Sequence, residues 1–454
     1  WGQPVQIAKD YHCIFIDTEG LGSFQRTQSC DMQIFSLCIL LSSFFIYNSM
    51  GALDDQALDS LSLVLNLTQH IHVKAKNSEN KEESSSGDQE KGEADGPTKD
   101  TDLAPYFPNF LWVIRDFNLQ LQDSGGNTIT AREYLEHTLK DVNSTGEQAV
   151  QKNKVRETIR NLFRERDCMT MVRPVADERH LRNIQALPYE ALREPFRRQA
   201  EDFVQRVYTN LRPKMVGGTA VNGAMLAVMA MEYCNAINNS AVPAIQSAWA
   251  QAMSHQLHKN LKEALVKYRS LMNDTAMQAL PISPNELRDF HKAAKAEALV
   301  AFNSVHFDAN DNRYQEFRKQ FAMKTKQLFR HAEEENVNAS RVHCERLVKD
   351  VFAHVEAVIS SEGVTFEQLM TTFQQVRRQY SQHAKGPAKD EVLATSFTDR
   401  MAGACGSLWN RLSAAHEKEI SGAQIFFEHQ RIVVVSSIYY LQCDFSPHIK
   451  MLAK

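Results

Sequence analysis

The chain has 454 residues, 43% of them hydrophobic and 23% charged, so it is too long for one ordinary domain and apolar enough for substantial cores. The net charge is −4 and no basic block stands out, which argues against a nucleic-acid partner. None of the eight cysteines forms a C-x-x-C pair, so they read as reduced thiols of a cytoplasmic protein.

In chain order, the first strong signal is Cys13-Ile14-Phe15-Ile16-Asp17-Thr18-Glu19-Gly20. Cys13 to Ile16 are expected to form a buried strand. An acid at its carboxyl end can hold Mg²⁺ through water, and Gly20 leaves its N–H open to a phosphate oxygen. Alone, the pattern also fits an ordinary strand-to-turn exit. Ser23 to Met32 is polar, and Ile34 to Tyr47 is strongly apolar. Gln33, Ser36, Ser42 and Ser43 interrupt the second run, so a buried helix entering a buried strand explains it better than a membrane span.

Leu58, Leu61, Val64, Leu67 and Ile71 recur at helical spacing. Residues 77–100 carry eight acids against three lysines with no aromatic or large aliphatic residue, the composition of a disordered acidic insertion. Leu111-Trp112-Val113-Ile114 and Met169-Thr170-Met171-Val172 read as further strands, closed by Arg115-Asp116 and Arg173-Pro174. Strands alternating with helices imply parallel crossovers, with ligands outside the carboxyl ends. Asp17, Asp116 and Arg173 are therefore expected on one edge.

The helices expected before residue 222 are 131–139, 147–163 and 195–211. Gly217-Gly218 is a turn rather than a phosphate loop, because no Lys-Ser/Thr follows. Past Gly223 the pattern is helical: 224–237, 242–272, 283–307, 312–334, 339–361, 365–383 and 388–414. Ser283, Pro284 and Glu286 make a capping box with proline at the first helical position. Such helices imply an elongated antiparallel bundle. Residues 432–440 are strand-like and out of keeping with it. The domains expected are 1–222, 223–430 and an atypical end, 431–454.

Several of these motifs, taken together, resemble the guanylate-binding proteins, large GTPases of the dynamin superfamily related to the atlastins. They are Asp17-Thr18-Glu19-Gly20-Leu21-Gly22, Leu41-Ser42-Ser43, Tyr47-Asn48-Ser49-Met50-Gly51, Arg115-Asp116-Phe117, Asn222-Gly223 and Tyr233-Cys234-Asn235-Ala236-Ile237-Asn238, with the spacing of His291, Ala298 and Phe302. The resemblance covers about residues 1–400. Glu19 favours this family over the atlastins, where Gln is usual.

The resemblance implies an α/β GTPase domain, a mostly parallel sheet with flanking helices, followed by an all-α elongated helical bundle. It implies GTP with Mg²⁺. Asp17 would hold the metal through water, and Glu19 would orient the attacking water. Thr18 and Gly20 would line the phosphates, and Arg115-Asp116 would read the guanine. Asp177 to Arg193 would cap the base. Homodimerisation through the nucleotide face is implied too, with protein or membrane partners for the helical part and a cytoplasmic or peripheral-membrane location. No G-x-x-x-x-G-K-[ST] loop occurs in the 454 residues. In the family it precedes the D-x-x-G strand, so the expectation is an N-terminally truncated chain that itself turns GTP over poorly. The alternatives are a non-enzymatic GTPase-like scaffold and an atlastin-type membrane-remodelling GTPase.

Overall fold

The computed structural model describes residues 2–9, 11–18, 28–54, 57–58, 61, 71–73, 100–123, 125–143 and 146–419. The chain divides into two compact units, Trp1–Lys259 with Val305–Gln315, and Asn260–Ser304 with Glu316–Lys454.

The first unit opens with an antiparallel hairpin, β1 (Val5–Ala8) and β2 (Tyr11–Cys13), in which Val5 faces Cys13 and Gln6 faces His12. Here the expectation of a buried strand over Cys13 to Ile16 fails. Only Cys13 of that run is in a strand, and Phe15 is 46% exposed. The physical reason is the pairing: the backbone of β2 bonds to its immediate predecessor instead of entering the sheet.

Helix α1 (Gln28–Leu41) leads through Ser42-Ser43 into β3 (Phe44–Met50). A short helix, α2 (Asp100–Leu103), precedes β4 (Asn109–Arg115). Helices α3 (Ala131–Thr138) and α4 (Glu147–Leu162) lead to β5 (Arg166–Thr170). The three strands form a parallel sheet in the order β3-β4-β5, with Phe45 opposite Phe110 and Trp112 opposite Cys168. Residues 110–114 of the central strand β4 are all buried, because both sheet faces are covered and its run is apolar without alternation.

One face stacks rings: Phe45 against Phe110, Phe110 against Phe163, and Phe35 of α1 edge-on to Phe45. The other packs Leu111, Val113 and Met169 under Ile46 and Phe203. After β5 come α5 (Glu178–Leu181), α6 (Glu194–Asn210), which supplies Phe203, and the tight hairpin β6 (Met215–Val216) with β7 (Thr219–Ala220). Gly217 and Gly218 both have positive φ, 55° and 76°, as a turn of this kind demands.

Lys214 fastens the amino end of the sheet. Its ammonium donates to Ser42 O at 2.9 Å, Tyr106 O at 2.8 Å and Ile39 O at 3.4 Å. Burial pulls its pKa down to about 7. Helix α7 (Gly223–Asn238) is capped by Asn222, whose side chain accepts from Met225 N.

Helix α8 (Ile245–Met272) carries the chain into the second unit, where α9 (Pro284–Phe302), α10 (Asn312–Ser360), α11 (Phe366–His383), α12 (Lys389–Val392) and α13 (Thr398–Glu419) follow. The Ser283 capping box is present. Two helices expected over 312–334 and 339–361 are one helix of 49 residues. The Asn-rich stretch from 335 to 338 holds no Gly or Pro, and Asn336 spends its side chain on another segment rather than on its own backbone. The core of this unit runs along Cys344, Val348, Phe352 and Val355 of α10 against Leu369, Phe373, Val376 and Tyr380 of α11.

Past residue 223 there is no strand among the described residues. No helix among them is long and apolar enough to cross a membrane. The helical spacing expected over Leu58 to Ile71 falls largely outside the described residues, as do most of 77–100 and all of 431–454.

Candidate functional site

The carboxyl end of the parallel sheet gathers Asn48 and Met50 from the end of β3, Arg115 and Asp116 from the end of β4, and Arg173-Pro174 after β5. Asp116 has φ 54°, the left-handed region, where among non-glycine residues Asp and Asn fit best. The neighbours force this turn. Arg115 O accepts from Gly51 N at 2.9 Å, and Phe117 N donates to Met171 O at 3.0 Å, so the chain must bend between them. The carboxylate is lifted above the strand end and is 29% exposed.

Arg115 Nε donates to Asn48 Oδ1 at 2.8 Å, bridging β4 to β3. Arg173 Nε lies 3.8 Å from Asp116 Oδ2, and Arg173 Nη1 lies 3.3 Å from Glu178 Oε1 on α5. The strand exit is fixed from α6: Arg193 N donates to Pro174 O at 2.8 Å, and the Arg193 side chain to Arg173 O at 3.3 Å. Gln199 Oε1 accepts from Val172 N at 2.8 Å. A carboxylate held this way has both oxygens available to paired N–H donors, such as N1–H and the 2-amino group of a guanine. Adenine presents no such pair.

Asp116 and Arg173 therefore meet as the sequence suggests, and Asp17 does not join them. Asp17 and Thr18 are both exposed. The Thr18 side chain hydrogen-bonds Cys38, whose thiol burial pushes up. Cys38 is in the last turn of α1, its carbonyl accepting from Ser42 N just before β3 begins. That is the amino end of the sheet, the opposite end from Asp116. Glu19 and Gly20 lie outside the described residues. Among the described residues no group of three or more His, Cys, Asp or Glu could hold a metal ion.

Asn48 lies in the Tyr47–Gly51 motif, and Glu178 and Arg193 lie in the stretch from Asp177 to Arg193, but no sequence signal assigns any of the three its contact here. Glu178 stands in the first turn after the N-cap Asp177. His291 is a packing residue: its ring stacks on Phe329 at 4.2 Å and Nδ1 lies 2.7 Å from Tyr268 OH.

Residues 1–215 match the profile of the guanylate-binding protein N-terminal domain, and residues 217–426 match that of the guanylate-binding protein C-terminal domain. Guanylate-binding protein 1 of Chlorocebus aethiops is 30% identical over 403 residues, which are 87% of this chain and 65% of that protein. Guanylate-binding protein 3 of Mus musculus is 32% identical over 348 residues, 76% of this chain and 53% of that protein. Guanylate-binding protein 1 of Homo sapiens is 29% identical over 403 residues, 87% of this chain and 65% of that protein. The chain thus spans about half to two thirds of the length of these relatives.

Proposed function

The chain belongs to the guanylate-binding protein family, and on that premise we propose that it comes from a large GTPase that binds and hydrolyses GTP and reads the base with Asp116. The observation that carries this is the left-handed Asp116 at the end of the central strand, its carboxylate partly exposed beside Arg173. Backbone strain of this kind persists where the surroundings enforce it, and it collects at ligand sites.

At the other end of the nucleotide, Asp17 would hold Mg²⁺ through water, Thr18 and Gly20 would line the phosphates, and Glu19 would orient the attacking water. Bound Mg²⁺ supplies charge neutralisation of the phosphates. For these residues to serve a nucleotide whose base sits on Asp116, Ile14 to Asp17, which follow the hairpin, have to run beside β3. That strand's outer edge has no strand partner among the described residues. We place the nucleotide work in residues 1–222 and its mechanical response in 223–430, with 431–454 apart. The change of matched profile after residue 215 supports that division. Dimerisation through the nucleotide face belongs to the same proposal, as does contact with proteins or membranes through the helical part.

The second reading is a non-enzymatic scaffold with a GTPase-like fold. Thr18 standing at the amino end of the sheet favours it. One experiment separates the two: hydrolysis of GTP and of xanthosine triphosphate by the full-length protein, with and without Asp116→Asn. Turnover of GTP, with preference moving to the xanthine nucleotide in the variant, supports base reading by Asp116. Absence of binding and turnover for both nucleotides gives the scaffold reading.

A further inference from the structure

We propose that Arg173 is the positioning residue for base specificity, an ion-pair partner that presets the Asp116 carboxylate before the nucleotide arrives; this rests on the reading of Asp116 as the base contact.

The argument starts from the distance. At 3.8 Å the Arg173 Nε to Asp116 Oδ2 contact is an ion pair and not a hydrogen bond. It therefore orients the carboxylate without consuming an acceptor lone pair, and both oxygens remain available to two donors. A hydrogen-bonded arginine would compete with the guanine for the same lone pairs.

Next is the anchoring. A long side chain can position another group only if it is itself held. Arg173 is held at both ends: Glu178 takes Nη1 at 3.3 Å, and Arg193 grips its carbonyl at 3.3 Å from the N-cap of α6. Backbone pairing secures the next residue as well, through Arg193 N to Pro174 O. The head group is thus fixed by α5 and the main chain by α6. Both elements follow β5, and the carboxylate they serve follows β4.

The third element is the carboxylate's own backbone. A left-handed Asp116 points its side chain away from the strand direction, and the flanking hydrogen bonds of Arg115 O and Phe117 N hold it there. Backbone and ion pair act on different degrees of freedom. The first fixes where Cβ points, and the second fixes the rotation of the carboxylate about it.

The test is equilibrium binding of GDP, IDP and XDP to the full-length protein. An exposed ion pair is worth a modest factor, so Arg173→Ala is expected to weaken GDP about two- to five-fold. XDP, which offers the carboxylate N1–H alone and sets a carbonyl against its second oxygen, should stay within about two-fold, so the GDP/XDP ratio narrows. Arg173→Lys restores the charge and should recover part of the ratio. Glu178→Gln should give a smaller loss in the same direction. In an Asp116→Asn background, Arg173→Ala should leave XDP affinity unchanged, because the amide offers no charge to orient. Equal losses for GDP and XDP, or a loss that persists in the Asp116→Asn background, would overturn the proposal and leave Arg173 a structural residue. A wild type that does not prefer GDP to XDP overturns the base reading itself, and this inference with it. The wild-type comparison alone tells the two failures apart.

Discussion

The carboxyl edge of the sheet and the middle of α10 both carry polar side chains where a plain fold would need none, and they are built in opposite ways. At the sheet edge the polar groups are half-exposed, and Asp116 sits in a backbone region that costs energy. At mid-α10 the buried polar side chains Asn336 and Ser340 have tight partners. Asn336 is 1% exposed, accepts from Ile282 N at 2.9 Å and donates to Ile282 O at 2.9 Å. One turn on, Ser340 donates to Lys385 O at 2.7 Å and accepts from Ala388 N at 3.0 Å. Two loops that lack regular pairing of their own are thus closed on one long helix. The second arrangement maximises stability and leaves nothing for a ligand. The first gives up stability and keeps a carboxylate available.

That contrast breaks most visibly at the clasp. Asn336→Leu removes the partners of the part-buried N–H and C=O of Ile282 and should destabilise the protein by about 2–4 kcal/mol. Urea unfolding followed by the helical signal checks it, and a loss under about 1 kcal/mol would mean that water replaces the side chain. Gly386→Ala comes next. Gly386 has φ 83°, and an added Cβ would lie 2.7 Å from Ser340 Cβ and 3.0 Å from Pro281 Cβ. Strain and overlap together should cost about 2–3 kcal/mol. Removing the Ser340 hydroxyl does not relieve it, because the Cβ contact stays, so Ser340→Ala in the same chain should fail to rescue the loss.

The clasp also shows what could be read beforehand. The capping box at Ser283 was legible because its signal is local, contained in the four residues from Ser283 to Glu286. The strand β4 was legible because a strand buried on both faces reads as an unbroken apolar run. Strand β5 was legible only in part, since it lies at Arg166–Thr170, begins with two charged residues, and shares only Met169 and Thr170 with the apolar run read there. Asn336 was not legible, because its partner Ile282 is 54 positions away. Two asparagines, Asn336 and Asn338, in a polar stretch look like a helix break. The same limit explains the hairpin. The apolar run at Cys13 to Ile16 carries the right residues for a buried strand, and nothing local says whether its backbone pairs with β1 or with the sheet. At the site, Asp116 was legible by resemblance and by its place after an apolar run. Glu178 and Arg193 contribute through distances that no motif encodes.

At the sheet edge the comparison predicts a small stability effect and a large functional one. Asp116→Gly relieves about 1 kcal/mol of left-handed strain and adds about as much backbone entropy to the unfolded chain. Its unfolding midpoint should stay close to that of the wild type, while any preference for guanine nucleotides is lost. A marked destabilisation would make Asp116 a fold residue like Asn336 and erase the contrast. Lys214→Met, at the far end of the same sheet, should behave like the clasp. It strands three carbonyl oxygens and should cost about 1–3 kcal/mol with no change in base preference.

The smallest effect separates polar groups by pH. His291 is half-buried on α9, its Nδ1 2.7 Å from Tyr268 OH of α8 and its ring against Phe329 of α10. Burial lowers its proton affinity, and Lys295 lowers it further. Burial also pushes the Tyr268 phenol up to about 12, so the phenol keeps its proton and can donate to a neutral imidazole. The folded His291 thus binds protons less readily than the unfolded one. Its contribution to stability is complete above the unfolded value of about 6.5 and shrinks as pH falls through and below it. Thermal unfolding at pH 7.5 and pH 5.5 should show a larger acid-side loss for the wild type than for His291→Phe. The variant keeps the stacking on Phe329 and has nothing to protonate. If the wild-type and variant curves shift in parallel, His291 accepts its charge without penalty in the fold, and the polar groups of the helical unit are less tightly satisfied than the Asn336 clasp suggests.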